Sequence, residues 1–151
     1  MNELDKHTLI IKKFGELYGN LRSLKTNNVV LHTRVFTNPK DYSPFRQIIL
    51  EDSELPIIEC RLPNENYLLA TTKSMYSWYQ GNEYEMLFSD FKDSDRAYFS
   101  NNIQLAEGKT RVFRYELKNG KEFIYEVDSF YPADIVHNRL VLSINYGRYD
   151  D

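Results

Sequence analysis

Cysteine, glycine and tryptophan are scarce in this chain of 151 residues, which contains one Cys, six Gly and one Trp. A solitary cysteine, Cys60, cannot close a disulfide within the chain, so we expect an apolar core to hold the fold and a reducing, cytoplasmic location. A single domain over residues 1–151 can bury roughly 70% of the surface that the unfolded chain exposes. The first residues show no secretory pattern, and no apolar run approaches the length of a membrane span.

Positive charge is not in excess either, since the net charge is −3 and the isoelectric point is near 5.7. Nucleic-acid binders rely on clustered Lys and Arg that neutralise phosphates, so the composition argues against a nucleic-acid partner and favours a basic one. Aromatic residues are abundant, with 12 Tyr and 9 Phe. Tyrosine is enriched at protein interfaces, but a small β-rich domain also packs with such residues, and both explanations stay open.

Complete cofactor and metal motifs are also missing. Gly108-Lys109-Thr110 resembles the end of a phosphate-binding loop, but Ile103 stands where that loop needs a glycine. Asp93-Ser-Asp95 begins like a calcium loop, but Arg96 follows and no later glycine or glutamate is in register. Cys60 has no histidine near it in the sequence and is expected to be a buried structural thiol. The sequence therefore predicts no cofactor and no metal.

Asp134 and His137 are the best candidates for catalysis. They lie three residues apart on a predicted helix, a spacing that places a carboxylate and an imidazole on one face. Two groups do not complete a metal site, and an ordinary pair on a helix surface explains them as well. A small enzyme that uses Asp134 and His137 is kept as a second alternative function.

Apolar residues at three- and four-residue spacing predict an amphipathic helix over residues 5–25, with Asp5 as its cap. Gly15 and Gly19 fall inside it, which indicates either close approach to a neighbour or a weak helix. Near the other end, Pro132 suits the first turn of a helix. Residues 140–146 fit that helix but also alternate like a strand, and helix is our prediction.

Short apolar runs separated by polar, turn-forming residues predict antiparallel strands between the helices. The runs cover residues 29–36, 46–50, 56–62 and 67–73, and residues 89–102 are expected to form a loop or a short helical turn. The predicted fold class is α+β, with an antiparallel meander or small barrel between an N-terminal and a C-terminal helix.

Residues 67–88 contain the strongest structural signal, a hairpin with Gly81 and Asn82 as its predicted turn and Gln80 opposite Glu83. One face of this hairpin is almost wholly apolar and is expected to cover the core. It carries Met75, Ser77, Tyr79, Tyr84, Met86 and Phe88. The opposite face mixes aromatic and acidic residues and suits a contact surface. It carries Tyr76, Trp78, Leu87, Glu83 and Glu85.

A second hairpin turns at residues 118–120. A loop of three residues with Gly120 in a left-handed bulge pairs Phe113 with Tyr125 and Tyr115 with Phe123, whereas a two-residue loop would bury acids. The chosen register also sets Glu116 opposite Glu122, a repulsion that we expect Lys118 and Lys121 to ease.

The same hairpin bears the one cluster of basic residues. Its members are Lys109, Arg111, Arg114, Lys118 and Lys121. Such a cluster could meet anionic lipid head groups, although acidic residues interleave with it and an ordinary solvated face is the simpler explanation.

Three segments carry a resemblance to a known group. Tyr67-Leu-Leu-Ala-Thr-Thr-Lys, Ser-Met-Tyr-Ser-Trp and the run Tyr84-Glu-Met-Leu-Phe-Ser-Asp-Phe91 are similar to the strands of pleckstrin-homology-like and GRAM-like domains. The resemblance covers about half of the chain. It implies a binding scaffold with protein or lipid partners rather than an enzyme.

Together these observations predict a non-catalytic protein-binding module, with an immunity protein that neutralises a bacterial toxin as one specific form. Tyr76, Trp78, Glu83 and Glu85 are the predicted contact residues, because aromatic anchors among acids suit a basic partner. A module that binds anionic membrane surfaces through the basic cluster is the first alternative.

Overall fold

The computed structural model describes residues 2–21, 32–94, 109–129 and 131–146. Within these described ranges there are two α-helices and eight strands. These are α1 (Glu3–Tyr18), β1 (Thr33–Val35), β2 (Pro56–Arg61), β3 (Tyr67–Thr71), β4 (Ser74–Tyr79), β5 (Asn82–Leu87), β6 (Phe91–Ser94), β7 (Thr110–Leu117), β8 (Glu122–Asp128) and α2 (Tyr131–Tyr146). The predicted α+β class with a helix near each end is confirmed.

The strands form two antiparallel sheets rather than a closed barrel. One sheet has the order β1-β2-β3-β4-β5 and the other the order β6-β7-β8, so the meander alternative is correct and the barrel alternative is not. Strand β8 packs against β3, β4 and β5, and the core lies between the sheets and the helices. Its buried apolar side chains include Ile10, Phe14, Ile58, Leu68, Met75, Met86, Phe113, Tyr115, Phe123, Tyr125, Val136 and Leu140.

Helix α1 is shorter than predicted. Asn2 caps it, since its side chain accepts a hydrogen bond of 2.8 Å from the amide of Asp5, and not Asp5 as expected. Gly19 lies just beyond the last helical residue with φ of 75°, a conformation that favours glycine and stops the helix there. Gly15 stays helical, but a Cβ at this position would meet no atom within 4 Å, so close packing does not explain it.

Helix α2 includes residues 140–146, which confirms helix over strand for that segment. Both helices are tied to the turn between β3 and β4 by buried cations. Lys6 Nζ lies 3.4 Å from the carbonyl oxygen of Thr72, and Arg139 donates to the carbonyls of Thr71 at 3.2 Å and Thr72 at 2.9 Å. These bonds supply the partners that buried charged groups need.

The predicted strand over residues 46–50 is wrong. Arg46 and Gln47 have φ values of 59° and 58°, a left-handed conformation that no strand accommodates. Ile49 is 91% exposed, so the apolar residues that predict a strand here do not form a buried strand. Instead, this segment lies over the outer face of the five-stranded sheet.

The prediction of a loop or a short helical turn over residues 89–102 is correct at its start and wrong at residues 91–94, which form a strand. Phe88–Asp90 forms a single turn of 3-10 helix, and β6 then pairs with β7. The turn carries the chain from one sheet to the other. Residues 95–102 lie outside the described part of the chain.

The first hairpin, β4–β5, has the predicted faces but not the predicted turn. Tyr79 pairs with Asn82, so the two turn residues are Gln80 and Gly81, with φ of 50° and 80°. Positive φ at both positions is the pattern of a type I′ turn. The register therefore differs from the predicted one by two residues, and a shift of two leaves every side chain on its predicted face.

The second hairpin, β7–β8, has the predicted register. Phe113 pairs with Tyr125 and Tyr115 with Phe123, and Gly120 has φ of 82° in the three-residue loop. Glu116 stands opposite Glu122, as predicted. The cations beside these two acids are not the predicted Lys118 and Lys121.

Lys92 lies 3.3 Å from Glu116, and Arg114 lies 3.4 Å from Glu122. The expected neutralisation by Lys118 and Lys121 was wrong because the structure brings β6 alongside β7. The sequence pattern predicts a loop or a short helical turn around Lys92, so the position of this cation beside β7 does not follow from the sequence.

Candidate functional site

A cleft of about 440 Å³ opens on the outer face of the five-stranded sheet. One wall is the segment 46–49, and the remainder comes from β4 and β5. All four predicted contact residues line this cleft. We name it the Trp78 cleft. Its lining residues are Arg46, Gln47, Ile48, Ile49, Tyr76, Ser77, Trp78, Glu83, Tyr84 and Glu85.

Trp78 is half-buried on the floor of the cleft. It belongs to a small, mostly aromatic cluster on the outer face of the sheet, separate from the main core, whose fully buried members are Phe36, Tyr67 and Leu69. The chain between Tyr42 and Leu50 covers this cluster, and α1 does not. Trp78 is therefore held in place by packing on one side and still open to the cleft.

Arg46 joins the wall of the cleft to its floor. Its guanidinium lies 4.9 Å from the ring centroid of Trp78 and 5.3 Å from that of Phe45, and it donates a hydrogen bond to the carbonyl oxygen of Glu65. Such cation–π contacts hold a cation and a ring together without a carboxylate. Sequence reasoning missed Arg46 because it assigned this segment to a strand.

Tyr76 is fixed by a buried carboxylate. Its hydroxyl lies 3.0 Å from both carboxylate oxygens of Glu54, which also accepts a hydrogen bond from Thr71. Burial raises the pKa of Tyr76 above its ordinary value, and the charge of Glu54 raises it further. The phenol therefore stays protonated and its ring orientation is set by Glu54. Only 4% of Glu54 is exposed, and no local sequence pattern indicates this contact.

Glu83 and Glu85 are the exposed acids of the cleft. They lie on β5 opposite Trp78 and Tyr76 respectively, and solvent reaches both. Within the described ranges, neither carboxylate has a Lys, Arg or His in ion-pair contact. The cleft thus combines a rigid aromatic floor with two negative charges that are free to meet a cation.

The predicted basic cluster does not form one surface. Arg111 is half-buried and shares the side of β7 that carries Phe113, whereas Arg114 points to the opposite side and pairs with Glu122 at 3.4 Å. Lys109, Lys118 and Lys121 are exposed near the two ends of the hairpin. Lipid binding through these residues stays a prediction, and the geometry divides rather than concentrates their charge.

Among the described residues, the hydrogen-bond partner of Asp134 is Tyr18 and not His137. Tyr18 donates to Asp134 at 2.6 Å, and the side chain of Asn138 donates to Tyr18, so this group joins α2 to α1. Burial lowers the pKa of His137, with a smaller opposing effect from Asp134. One oxygen of the carboxylate proposed for catalysis, Oδ2 of Asp134, therefore takes part in a structural contact.

Cys60 is fully buried, in keeping with the structural role expected for it. Its Sγ lies 3.9 Å from Asp128, which also accepts hydrogen bonds of 2.7 Å from the backbone of His32 and from the Thr33 hydroxyl. Burial, and then the charge of Asp128, raise the pKa of Cys60 to about 12. The thiol therefore stays protonated and is a poor nucleophile.

The described part of the chain shows neither a metal-binding group of side chains nor a membrane-spanning helix. In residues 2–21, 32–94, 109–129 and 131–146, no three His, Cys, Asp or Glu side chains are grouped as a metal site would require. Neither helix in this part of the chain has the length and apolarity needed to cross a membrane.

Comparison of the chain with known protein families, with curated proteins and with solved structures found no match. The resemblance to pleckstrin-homology-like and GRAM-like domains accordingly stays a prediction, and the geometry of the Trp78 cleft is the basis for proposing a function.

Proposed function

We propose that this chain is a non-catalytic protein-binding module that holds a basic segment of a partner protein in the Trp78 cleft. The observation that carries the proposal is the juxtaposition of an aromatic floor, held by packing, with two exposed carboxylates that form no ion pair among the described residues. An immunity protein that neutralises a bacterial toxin is one specific form of such a module. Its support is the small size, the acidity and the aromatic content of the chain.

The floor provides the apolar part of the contact. Trp and Tyr are the residues most often responsible for binding energy at protein interfaces, because they bury a large area while few rotatable bonds are fixed. Tyr76 is already fixed by Glu54, and Trp78 by Arg46 and the aromatic cluster. A partner therefore meets side chains whose conformational entropy has largely been lost on folding.

The acids provide selectivity. Glu83 and Glu85 contribute two negative charges to the lining against the single positive charge of Arg46. Arg46 is oriented toward the aromatic rings and the carbonyl of Glu65. The overall net charge of −3 has the same sign, so long-range attraction also favours a basic partner.

The single tryptophan makes the proposal directly testable, because all tryptophan emission reports on the cleft. The probe is the basic peptide acetyl-Thr-Val-Lys-Val-Lys-Val-Thr-amide, titrated while Trp78 fluorescence is recorded. We expect a saturable change in emission, and weaker binding as salt is raised because screening weakens exposed charge contacts.

The deciding comparison uses two variants that remove the same number of charges. The Glu83→Gln/Glu85→Gln variant is expected to weaken binding about five- to tenfold, since each exposed charge contact is worth up to about 1 kcal/mol. The matched Glu116→Gln/Glu122→Gln variant alters the second hairpin and should bind like the unmodified chain. If both variants bind the peptide equally weakly, or if both bind it as tightly as the unmodified chain, a basic partner in this cleft is contradicted.

A further inference from the structure

Strand β5 is the outermost strand of the five-stranded sheet, and among the described residues it pairs with β4 alone. A strand in this position presents backbone amides and carbonyls that have no ladder partner on their outer side. The register of the hairpin determines which residues of β5 present these outward backbone groups.

In an antiparallel pair, residues that exchange backbone hydrogen bonds alternate with residues whose backbone groups point away from the partner. The two-residue turn makes Tyr79 and Asn82 a hydrogen-bonded pair, so Tyr84 and Met86 also bond to β4. The amide of Phe88 continues this series, with a bond of 3.3 Å to the carbonyl of Lys73.

The backbone groups of Glu83, Glu85 and Leu87 consequently point outward from the sheet. The amide of Leu87 confirms the alternation, because it donates to the side chain of Asp90 at 3.0 Å and not to β4. Asp90 thus occupies the outward amide at the Leu87 end of this edge. The outward amides and carbonyls of Glu83 and Glu85 remain beside the cleft.

Glu83 and Glu85, whose backbone groups point outward, also carry acidic side chains that form no ion pair among the described residues. On an added antiparallel strand, a residue that exchanges backbone bonds with Glu83 also places its side chain next to the Glu83 carboxylate. The same holds at Glu85, two residues on. The edge therefore selects a basic residue at every second position of an extended segment.

A second copy of this chain does not satisfy that requirement. Antiparallel pairing of two β5 edges around Glu83 and Glu85 would set acid against acid, which is destabilising for directly opposed residues. Charged residues on an edge strand commonly prevent this kind of self-association. The same charges attract a strand of opposite sign.

We propose that β5 takes up an extended basic segment of the partner protein as an added antiparallel strand, with basic side chains against Glu83 and Glu85. This inference rests on the proposed function and specifies how the partner is held. The backbone bonds supply affinity, and alternation of basic with apolar residues supplies selectivity. The apolar residues fall on the side of Tyr84 and Met86, which faces the core.

Backbone methylation of the probe separates strand addition from a contact made by side chains alone. The parent is acetyl-Thr-Val-Lys-Val-Lys-Val-Thr-amide, and two derivatives carry N-methyl groups either on both lysines or on the first two valines. Lysine amides face β5 in the proposed register and valine amides face away from it. We expect lysine methylation to weaken binding about tenfold and valine methylation to change it less than about twofold.

Amide hydrogen exchange of the protein gives a second readout. In the free chain, Glu83 and Glu85 amides should exchange faster than those of Tyr84 and Met86, which β4 protects. The unmethylated peptide is expected to slow exchange at Glu83 and Glu85 selectively. Equal or reversed sensitivity to the two methylation patterns, or unchanged exchange at Glu83 and Glu85, overturns strand addition.

The two proposals fail in different ways. A peptide that binds with the expected dependence on Glu83 and Glu85 but ignores methylation leaves the basic partner in place and removes the added strand. A peptide whose binding is unaffected by the Glu83→Gln/Glu85→Gln variant contradicts the proposed function itself.

Discussion

The two long hairpins of this molecule use similar residues for opposite purposes. Both combine aromatic side chains with acids, and both turn at a glycine of positive φ. In β7–β8 the aromatics are fully buried, and Glu116 and Glu122 have cations beside them. In β4–β5 an aromatic residue lines an open cleft, and the neighbouring acids are unpaired within the described residues.

The difference shows how a solvated surface can be told from a contact surface. Residue type alone does not distinguish them, since both hairpins combine Glu with aromatic residues, with Glu83 opposite Trp78 on the first and Glu116 opposite Glu122 on the second. What distinguishes them is whether each acidic side chain forms an ion pair and each aromatic ring is buried within the described fold. On the second hairpin Glu116 and Glu122 have cations beside them, whereas on the first hairpin Glu83 and Glu85 have none among the described residues.

The largest expected difference between the hairpins is in packing. Phe113→Ala should lower the free energy of unfolding by about 3–5 kcal/mol, because Phe113 is fully buried in the main core and leaves a cavity. Trp78→Ala should cost less, about 2 kcal/mol, because one side of the ring already faces the cleft. Urea denaturation followed by circular dichroism measures both. An equal cost would make Trp78 a core residue and leave the cleft without its anchor.

A smaller difference is expected at the turns. Gln80 holds φ of 50° without being glycine, so Gln80→Gly should raise the free energy of unfolding by about 0.5 kcal/mol. Gly120 already suits its φ of 82°, and Gly120→Ala should lower the stability by about 1 kcal/mol. Thermal unfolding of both variants checks this. Destabilisation by Gln80→Gly would show that the Gln80 side chain matters more than its backbone conformation.

The smallest expected effect concerns the charges. Lys92→Gln/Arg114→Gln exposes the opposed Glu116 and Glu122 to one another and should lower the free energy of unfolding by about 0.5–1 kcal/mol. Glu83→Gln/Glu85→Gln should leave stability unchanged, because these acids stabilise nothing inside the described fold. Denaturation at low and high salt measures both. A clear loss of stability in the second variant would mean that Glu83 and Glu85 are structural.

The sequence predicted the faces of both hairpins because side-chain alternation has a period of two and survives an error of two in register. That is why Tyr76, Trp78, Glu83 and Glu85 could be placed on one surface although the turn was assigned to the wrong residues. The register at Gly120 was predictable because the alternative would have buried acids.

The covering segment of the cleft could not be predicted in the same way. The left-handed backbone at Arg46 and Gln47 leaves no trace in the alternation of apolar letters, so an irregular segment was taken for a strand. Long-range contacts such as those of Glu54 with Tyr76 and Arg46 with Trp78 depend on how that segment folds back over the sheet. No local pattern encodes them.

The most direct test of a basic partner in the Trp78 cleft is a reversal of charge, with Trp78 fluorescence as the readout. The unmodified chain and the Glu83→Lys/Glu85→Lys variant are each titrated with acetyl-Thr-Val-Lys-Val-Lys-Val-Thr-amide and with the same peptide carrying Glu in place of Lys. We expect the unmodified chain to prefer the lysine peptide and the variant to prefer the glutamate peptide. The same preference in both proteins would contradict recognition through Glu83 and Glu85.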